Sequence, residues 1–229
     1  MNNIALPWGA DDTMDLELPA GWNVRGVLEP RAAARPATLE DEIARALGAP
    51  IGLPPLEQFA RDKKRAAVVI DDRTRPTPVA QILPRVVAEL NAAGIPDAGI
   101  TVVVALGTHR PMSAEEIAAR AGGDIAARVA IVNHDFRDEA NLVPAGVSPV
   151  FKIPCAFNRR VMEADVIVSI GCIEAHETAG VGGGYKNLMP GVSDATPIYR
   201  THTHQFQRPA RISSDRKSTR LNSSHLGIS

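Results

Sequence analysis

Three short stretches hold the residue types that chemistry needs. DDRTRPTP at 71–78 has paired aspartates and two arginines, and GTHRPM at 107–112 has a histidine followed by an arginine. GCIEAHETAGVGGGYKN at 171–187 has Glu174, His176, a glycine-rich turn and Lys186. Arginine presents a planar fork that binds both oxygens of a carboxylate or phosphate. Histidine changes charge near neutral pH and therefore moves protons. Taken singly, each has a plainer explanation. Arg73 and Arg75 suit a solvated turn, and His109 suits packing after a strand. For His134, in NHD at 133–135, packing is the favoured reading. What points to a site is coincidence: arginines, two histidines and a lysine follow successive apolar runs.

The turn GVGGGYKNLMPG at 180–191 nearly spells a phosphate-binding loop. That loop needs glycine directly before its lysine and a hydroxyl directly after it. Tyr185 precedes Lys186 and Asn187 follows it, so the nucleotide-triphosphatase reading fails on both counts. Gly182, Gly183 and Gly184 still permit positive φ and close approach of backbone to a ligand. A lysine in such a turn can bond covalently to a cofactor carbonyl as well as form ion pairs. Downstream, RTHTHQ at 200–205 carries His202 and His204, an H-x-H pair that can serve a metal together with His176. Two other function classes stay open on these residues. One is a zinc-dependent hydrolase using Cys172, His176, His202 and His204. The other is a non-catalytic domain whose arginines hold an anionic metabolite.

The elements that must position these groups alternate between strand and helix from residue 66. AAVVIDD at 66–72 is a short apolar run ending in acids, as a buried parallel strand reads. In TPVAQILPRVVAELNAAG, Val79, Ile82, Leu83, Val86, Val87 and Leu90 fall at helical spacing, and Pro84 is expected to kink or split the helix. GITVVVALG is the next strand. SAEEIAARAGG is a helix with Ser113 and Glu116 spaced as a capping box. ARVAIVNHD and VIVSIGCIEAH are further strands, with an extended segment and a short helix between them. Upstream, TLEDEIARALG and PPLEQFARDKK read as helices, and DLELPAGWNVRGVLEP at 15–30 as a hairpin. The expected fold is α/β: a Rossmann-like parallel sheet with helices on both faces, preceded by a small N-terminal strand and hairpin region. Ligands of such sheets bind beyond the carboxyl ends of the strands, where all three stretches would meet.

Of 229 residues, 45% are hydrophobic and 22% charged, enough for a real core. A net charge of −1 gives no electrostatic case for nucleic acid or an acidic membrane surface. No apolar run is long enough to span a bilayer, and MNNIALPWGADD has neither the basic nor the apolar region of a signal peptide. Cys155 and Cys172 are too few for a disulfide framework, so a reduced, cytoplasmic setting is expected. DRKSTRLNSSH near the end reads as an in-frame translation of a sequencing-library adapter. Residues 213–229 are therefore expected to be a non-native disordered tail, and 1–212 the front part of a longer protein.

Taken in order, DDRTRP, GTHRPM, GCIEAHETAGVGGGYKNLMPG and a following histidine resemble the nickel-dependent lactate racemase family, over roughly residues 10–210. Members are longer, two-domain proteins, so the resemblance implies that this chain is the N-terminal domain and that a C-terminal domain of the same protein is missing. It implies a nickel-pincer nucleotide, pyridinium-3,5-bisthiocarboxylic acid mononucleotide, with one arm tethered to Lys186. Nickel would be held by the pincer's carbon and two sulfurs plus a histidine, His202 or alternatively His204. His109 and His176 would be acid and base on opposite faces of the substrate. Asp72, Thr74 and Arg75 would handle cofactor phosphate and substrate carboxylate, Arg75 the latter, with Gly182, Gly183 and Gly184 beside the cofactor. The implied reaction racemises a 2-hydroxy acid by reversible hydride transfer through a 2-keto acid. Implied partners are a small 2-hydroxy acid and cofactor-maturation proteins, and the fragment by itself is expected to be inactive. The loop GVGGGYKN is less arginine-rich than expected of a dedicated lactate racemase, which admits a larger or different 2-hydroxy acid.

Overall fold

The structure, a computed structural model, describes residues 3–8, 12–23, 25–26, 38–176 and 180–201. His202, His204 and the segment 213–229 lie outside the described residues. The chain divides into two units, one up to Leu39 and one from Glu40 onward. In the first, β1 (Asn3–Trp8) pairs antiparallel with β2 (Asp12–Glu17). The hairpin therefore lies upstream of the expected 15–30. Pro19 and Gly21 do make a turn, closed by the Trp22 amide donating to the Pro19 carbonyl at 3.2 Å, but no strand follows it among the described residues.

The second unit takes up all but the first residue of α1 (Leu39–Gly48) and continues with α2 (Leu56–Phe59). Strand and helix then alternate through β3 (Ala66–Asp71), α3 (Val79–Ala92), β4 (Ile100–Ala105), α4 (Ala114–Ala121), α5 (Gly123–Arg128) and β5 (Ala130–Asn133). An antiparallel pair, β6 (Leu142–Val147) with β7 (Pro154–Asn158), leads into α6 (Arg159–Met162) and β8 (Val166–Ile170). The chain continues as β9 (Ala175–His176) paired with β10 (Gly180–Val181), α7 (Tyr185–Leu188) and α8 (Ala195–Thr201).

Strands β5-β4-β3-β8 form one parallel sheet in that order. Every residue of β3 is buried, because the strand lies centrally and both its faces are covered. Ala66, Val68 and Ile70 pack with Leu83, Val86 and Val87 of α3 on one face. Ala67 and Val69 pack with Phe157 of β7 and Val161 of α6 on the other. Each Val, Leu or Ile so enclosed contributes about 1.5–3 kcal/mol of burial free energy. Helix α3 runs unsplit through Pro84. Proline removes one backbone donor, but Leu83, Val86 and Val87 around it are fully buried, and that packing carries the helix across the gap.

The connections leave β3 and β8 on opposite sides. α3 follows β3 onto the first face, whereas Leu188 of α7, following β8, packs against the second. Adjacent strands whose connections diverge in this way leave a crevice beyond their carboxyl ends. No helix among the described residues is long and apolar enough to cross a membrane.

Candidate active site

A cleft of about 260 Å³ opens at that crevice. Residues following β3, β4 and β8 meet in it, among them Asp72, Arg75, His109, His176 and Lys186. The three stretches that stood out in the sequence thus share one edge of the sheet.

Strand β3 ends in two aspartates with different tasks. Asp71 is buried and anchors the turn. Its carboxylate pairs with the Arg120 guanidinium from α4 and accepts from the Thr77 hydroxyl and the Cys172 amide, the last at 3.3 Å. Arg120 also donates to the carbonyls of Asp71, at 3.2 Å, and Arg75, at 3.0 Å. One arginine therefore fixes both ends of the 71–75 turn. Asp72, also buried, faces the other way. Its Oδ1 accepts from the Thr74 amide and hydroxyl at 2.9 and 2.5 Å, and its Oδ2 lies 2.6 Å from His109 Nδ1. Burial pushes the Asp72 carboxyl upward, but its bonds from Thr74 and His109 outweigh that and hold it below the usual range. An ionised carboxylate only accepts, so His109 Nδ1 carries the hydrogen, and in the neutral ring Nε2 is then the acceptor.

His109 sits on the turn after β4, held by its amide donating to the Leu106 carbonyl at 2.8 Å. Gly107, at φ 54, lets that turn form and donates to the Gly191 carbonyl at 2.8 Å. His176 is half-buried on β9, opposite Gly180. Arg75 Nη1 is ion-paired with Oε1 of Glu174, a residue to which the sequence reading gave no role.

The glycine turn positions Lys186. Gly183 has φ 72, and a Cβ there would collide with the carbonyl of Cys172, so the loop can pass the segment that follows β8 only without a side chain. Gly184, at φ 52, precedes the single turn α7, and the Lys186 amide donates to the Gly183 carbonyl at 3.0 Å. Gly182 and Gly183 line the cleft with Lys186, whereas Gly184 and Thr74, also expected at the cofactor, are not among the lining residues. Burial pushes the Lys186 ammonium down to about 8, and repulsion from Arg75 adds to it.

His134 is not part of this cleft. It is buried, with Nε2 2.8 Å from the Ser193 carbonyl and Nδ1 3.3 Å from Asn158 Nδ2, and burial lowers its pKa. That is the packing role favoured for it from sequence. Among the described residues no group of three or more His, Cys, Asp or Glu side chains is placed to hold a metal. Cys172 lines the cleft, and burial raises its thiol pKa. The roles of Asp71, Arg120 and Glu174 were missed because their partners lie 49 or more residues away along the chain, where no local spacing registers them.

Comparison with known proteins finds relatives of one family. Residues 10–213 match the family described as the lactate racemase N-terminal domain. The lactate racemase of Lactiplantibacillus plantarum is 35% identical over 186 residues, covering 80% of this chain and 43% of that protein. That of Thermoanaerobacterium thermosaccharolyticum is 31% identical over 208 residues, covering 90% of this chain and 48% of that one. The chain thus spans about half the length of the curated relatives it matches. The solved apoprotein of the latter enzyme superimposes with a TM-score of 0.75 at 30% identity, over 89% of this chain and 47% of that one. A Thermotoga maritima protein shares the fold, with a TM-score of 0.55 at 24% identity.

Proposed function

The chain belongs to the lactate racemase N-terminal domain family, and on that premise we propose that it is the front part of a racemase acting on 2-hydroxy acids, lactate or a related, larger acid. The observation that carries the reading is the meeting of His109, His176, Arg75 and Lys186 in one cleft. The C2 hydrogen of a 2-hydroxy acid is far too weakly acidic for an imidazole to remove, whereas the hydroxyl proton is within a histidine's reach as C2 is oxidised. When bound, the nickel-pincer nucleotide supplies the electron-pair acceptor for the C2–H bond, so that the substrate passes through a planar 2-keto acid.

The residues present fit that group. Lys186 is held in the cleft with its amine at about 8, so roughly a tenth is neutral and bond-forming at pH 7. Gly182 and Gly183 leave the adjoining wall without side chains. Lys186 would hold the cofactor covalently, and His202, or alternatively His204, would be the protein ligand to nickel. Asp72 keeps the hydrogen of His109 on Nδ1, so Nε2 takes the hydroxyl proton of one enantiomer. His176 does so for the other, because the hydroxyl lies differently in each. Arg75 binds the substrate carboxylate through its fork.

The test uses the full-length protein matured with the cofactor proteins. One enantiomer of lactate or a larger 2-hydroxy acid should be converted to a racemate, read by chiral chromatography. His109→Ala and His176→Ala should each slow turnover by about 10²-fold or more and keep a covalent adduct on Lys186 in intact-protein mass spectrometry. Lys186→Ala should lose adduct and turnover together. An adduct that persists in Lys186→Ala overturns the assignment.

A further inference from the structure

We propose that Glu174 is a resident carboxylate that occupies Arg75 until a substrate carboxylate displaces it, and so sets how tightly the cleft binds its acid. The inference rests on the reading of Arg75 as the carboxylate-binding residue. Glu174 is built to reach that arginine. Its carbonyl accepts from the Gly182 amide at 2.7 Å, which pins its backbone to the glycine turn. Its side chain crosses that turn so closely that a Cβ on Gly182 would stand 3.1 Å from Glu174 Cγ. Its Oε1 then meets Arg75 Nη1. A side chain at 182 would therefore press on Glu174, which would have to give by a few tenths of an ångström.

The charges of the cleft leave Arg75 as the point of exchange. Asp71 is paired with Arg120, and Asp72 with His109. Among the described residues lining the cleft, Arg75 and Lys186 are the lysine or arginine side chains. Lys186 is committed to the cofactor in the reading above. An incoming carboxylate therefore competes with Glu174 for Arg75, whose Nη1 is already taken. The pair suits exchange, because Arg75 and Glu174 are half-buried, at 29% and 30% exposed, so water reaches both and weakens their attraction. In the resting state Glu174 also offsets the repulsion that Arg75 exerts on Lys186. A second negative charge beside a bound substrate carboxylate opposes binding, so neutralising Glu174 should tighten it.

Full-length cofactor-free protein, titrated with lactate, tests this without any turnover. Every sample carries Lys186→Met, the one wild type at Glu174 included, so that Arg75 is the remaining lysine or arginine among the described residues lining the cleft. Calorimetry gives the affinity, and the Nε–H resonance of Arg75 reports which group the guanidinium meets. Glu174→Gln should bind lactate about fivefold tighter than wild type, with the Arg75 resonance shifted before lactate is added. Glu174→Asp, one methylene too short to reach, should shift that resonance in the same sense and carries the test if the glutamine variant fails to fold. Adding Arg75→Gln to Glu174→Gln should abolish the gain. Equal affinity in wild type and both Glu174 variants overturns the proposal, as does a gain that survives loss of Arg75. A matured wild-type protein that fails to racemise would overturn the functional reading instead and leave this binding measurement standing.

Discussion

His109 Nδ1 lies 2.6 Å from Asp72 Oδ2, while the other oxygen of that carboxylate is taken by the Thr74 amide and hydroxyl. Two donors on Oδ1 fix which oxygen faces the histidine, and an acceptor there fixes the tautomer. The buried carboxylate thereby orients a side chain that is 53% exposed.

Asp72→Asn should therefore be far more damaging than its size suggests. The amide oxygen will stay with the two Thr74 donors, so the amide nitrogen turns toward His109. It donates to Nδ1 and drives the ring hydrogen onto Nε2, the atom needed as base. In the matured full-length protein kcat should fall by about 10²-fold or more, with stability little changed. Nitrogen-15 spectra of His109 should show the hydrogen moved to Nε2. An unchanged tautomer would show that Asp72 does not set it.

Lys186 should leave a signature in stability against pH. Its folded value is pushed down to about 8, mainly by burial, against about 10.4 in an unfolded chain. Between those values the unfolded state holds a proton that the folded state has released. Stability attributable to this group therefore rises with pH from about 8 to about 10 and is flat below that window. From pH 7.5 to 9.5 the urea midpoint should rise more, or fall less, in wild type than in Lys186→Met, other groups cancelling in the comparison. Equal differences would mean that the lysine is not desolvated.

The sheet and its alternation were legible in the sequence because β3 and β4, apart from Asp71 and Thr101, are runs of Ala, Val and Ile too apolar to be anything but buried. The capping box was legible too. Ser113 accepts from the Glu116 amide, and Glu116 accepts from the Ser113 amide at 2.9 Å, both local bonds fixed by residue type. β6 was not legible, because Pro144 and Gly146 interrupt its alternation, and a register shift between them absorbs the irregularity. In the site, the residue types at the strand ends were readable but their pairings were not. Neither the histidine that Asp72 meets nor the arginine that holds Asp71 can be read from spacing. Both depend on which strands lie side by side.

Arg120 should matter to the site without lining it. It spans the Asp71 carboxylate, the Asp71 carbonyl and the Arg75 carbonyl. The pair is 12% and 7% exposed, so deleting the arginine strands a buried carboxylate. Arg120→Ala should destabilise the fold by about 3 kcal/mol. Arg120→Lys keeps a charge but loses the fork that reaches both carbonyls. It should recover part of the stability in denaturant titrations and little of the substrate affinity, because the Arg75 carbonyl remains unheld. Full recovery of both by lysine would reduce Arg120 to a simple counter-charge.

The two central glycines of the turn should respond differently to the same substitution. Gly184 has φ 52 but open space where a Cβ would stand. Gly184→Ala therefore meets only backbone strain, about 1–3 kcal/mol, and the turn can keep its path. Gly183 has φ 72, and its Cβ would run into the Cys172 carbonyl oxygen and carbon, backbone atoms that cannot swing aside as a side chain can, on a residue whose amide is held by Asp71. Gly183→Ala must move the turn itself, and Lys186 moves with it, since the Lys186 amide hangs on the Gly183 carbonyl. In matured full-length protein, Gly184→Ala should lower the melting temperature yet retain the adduct on Lys186. Gly183→Ala should lose the adduct, and any folded protein should no longer show an amine that titrates at about 8. Adduct formation by Gly183→Ala at the wild-type level would mean that the lysine reaches its cofactor without the turn that the structure builds for it.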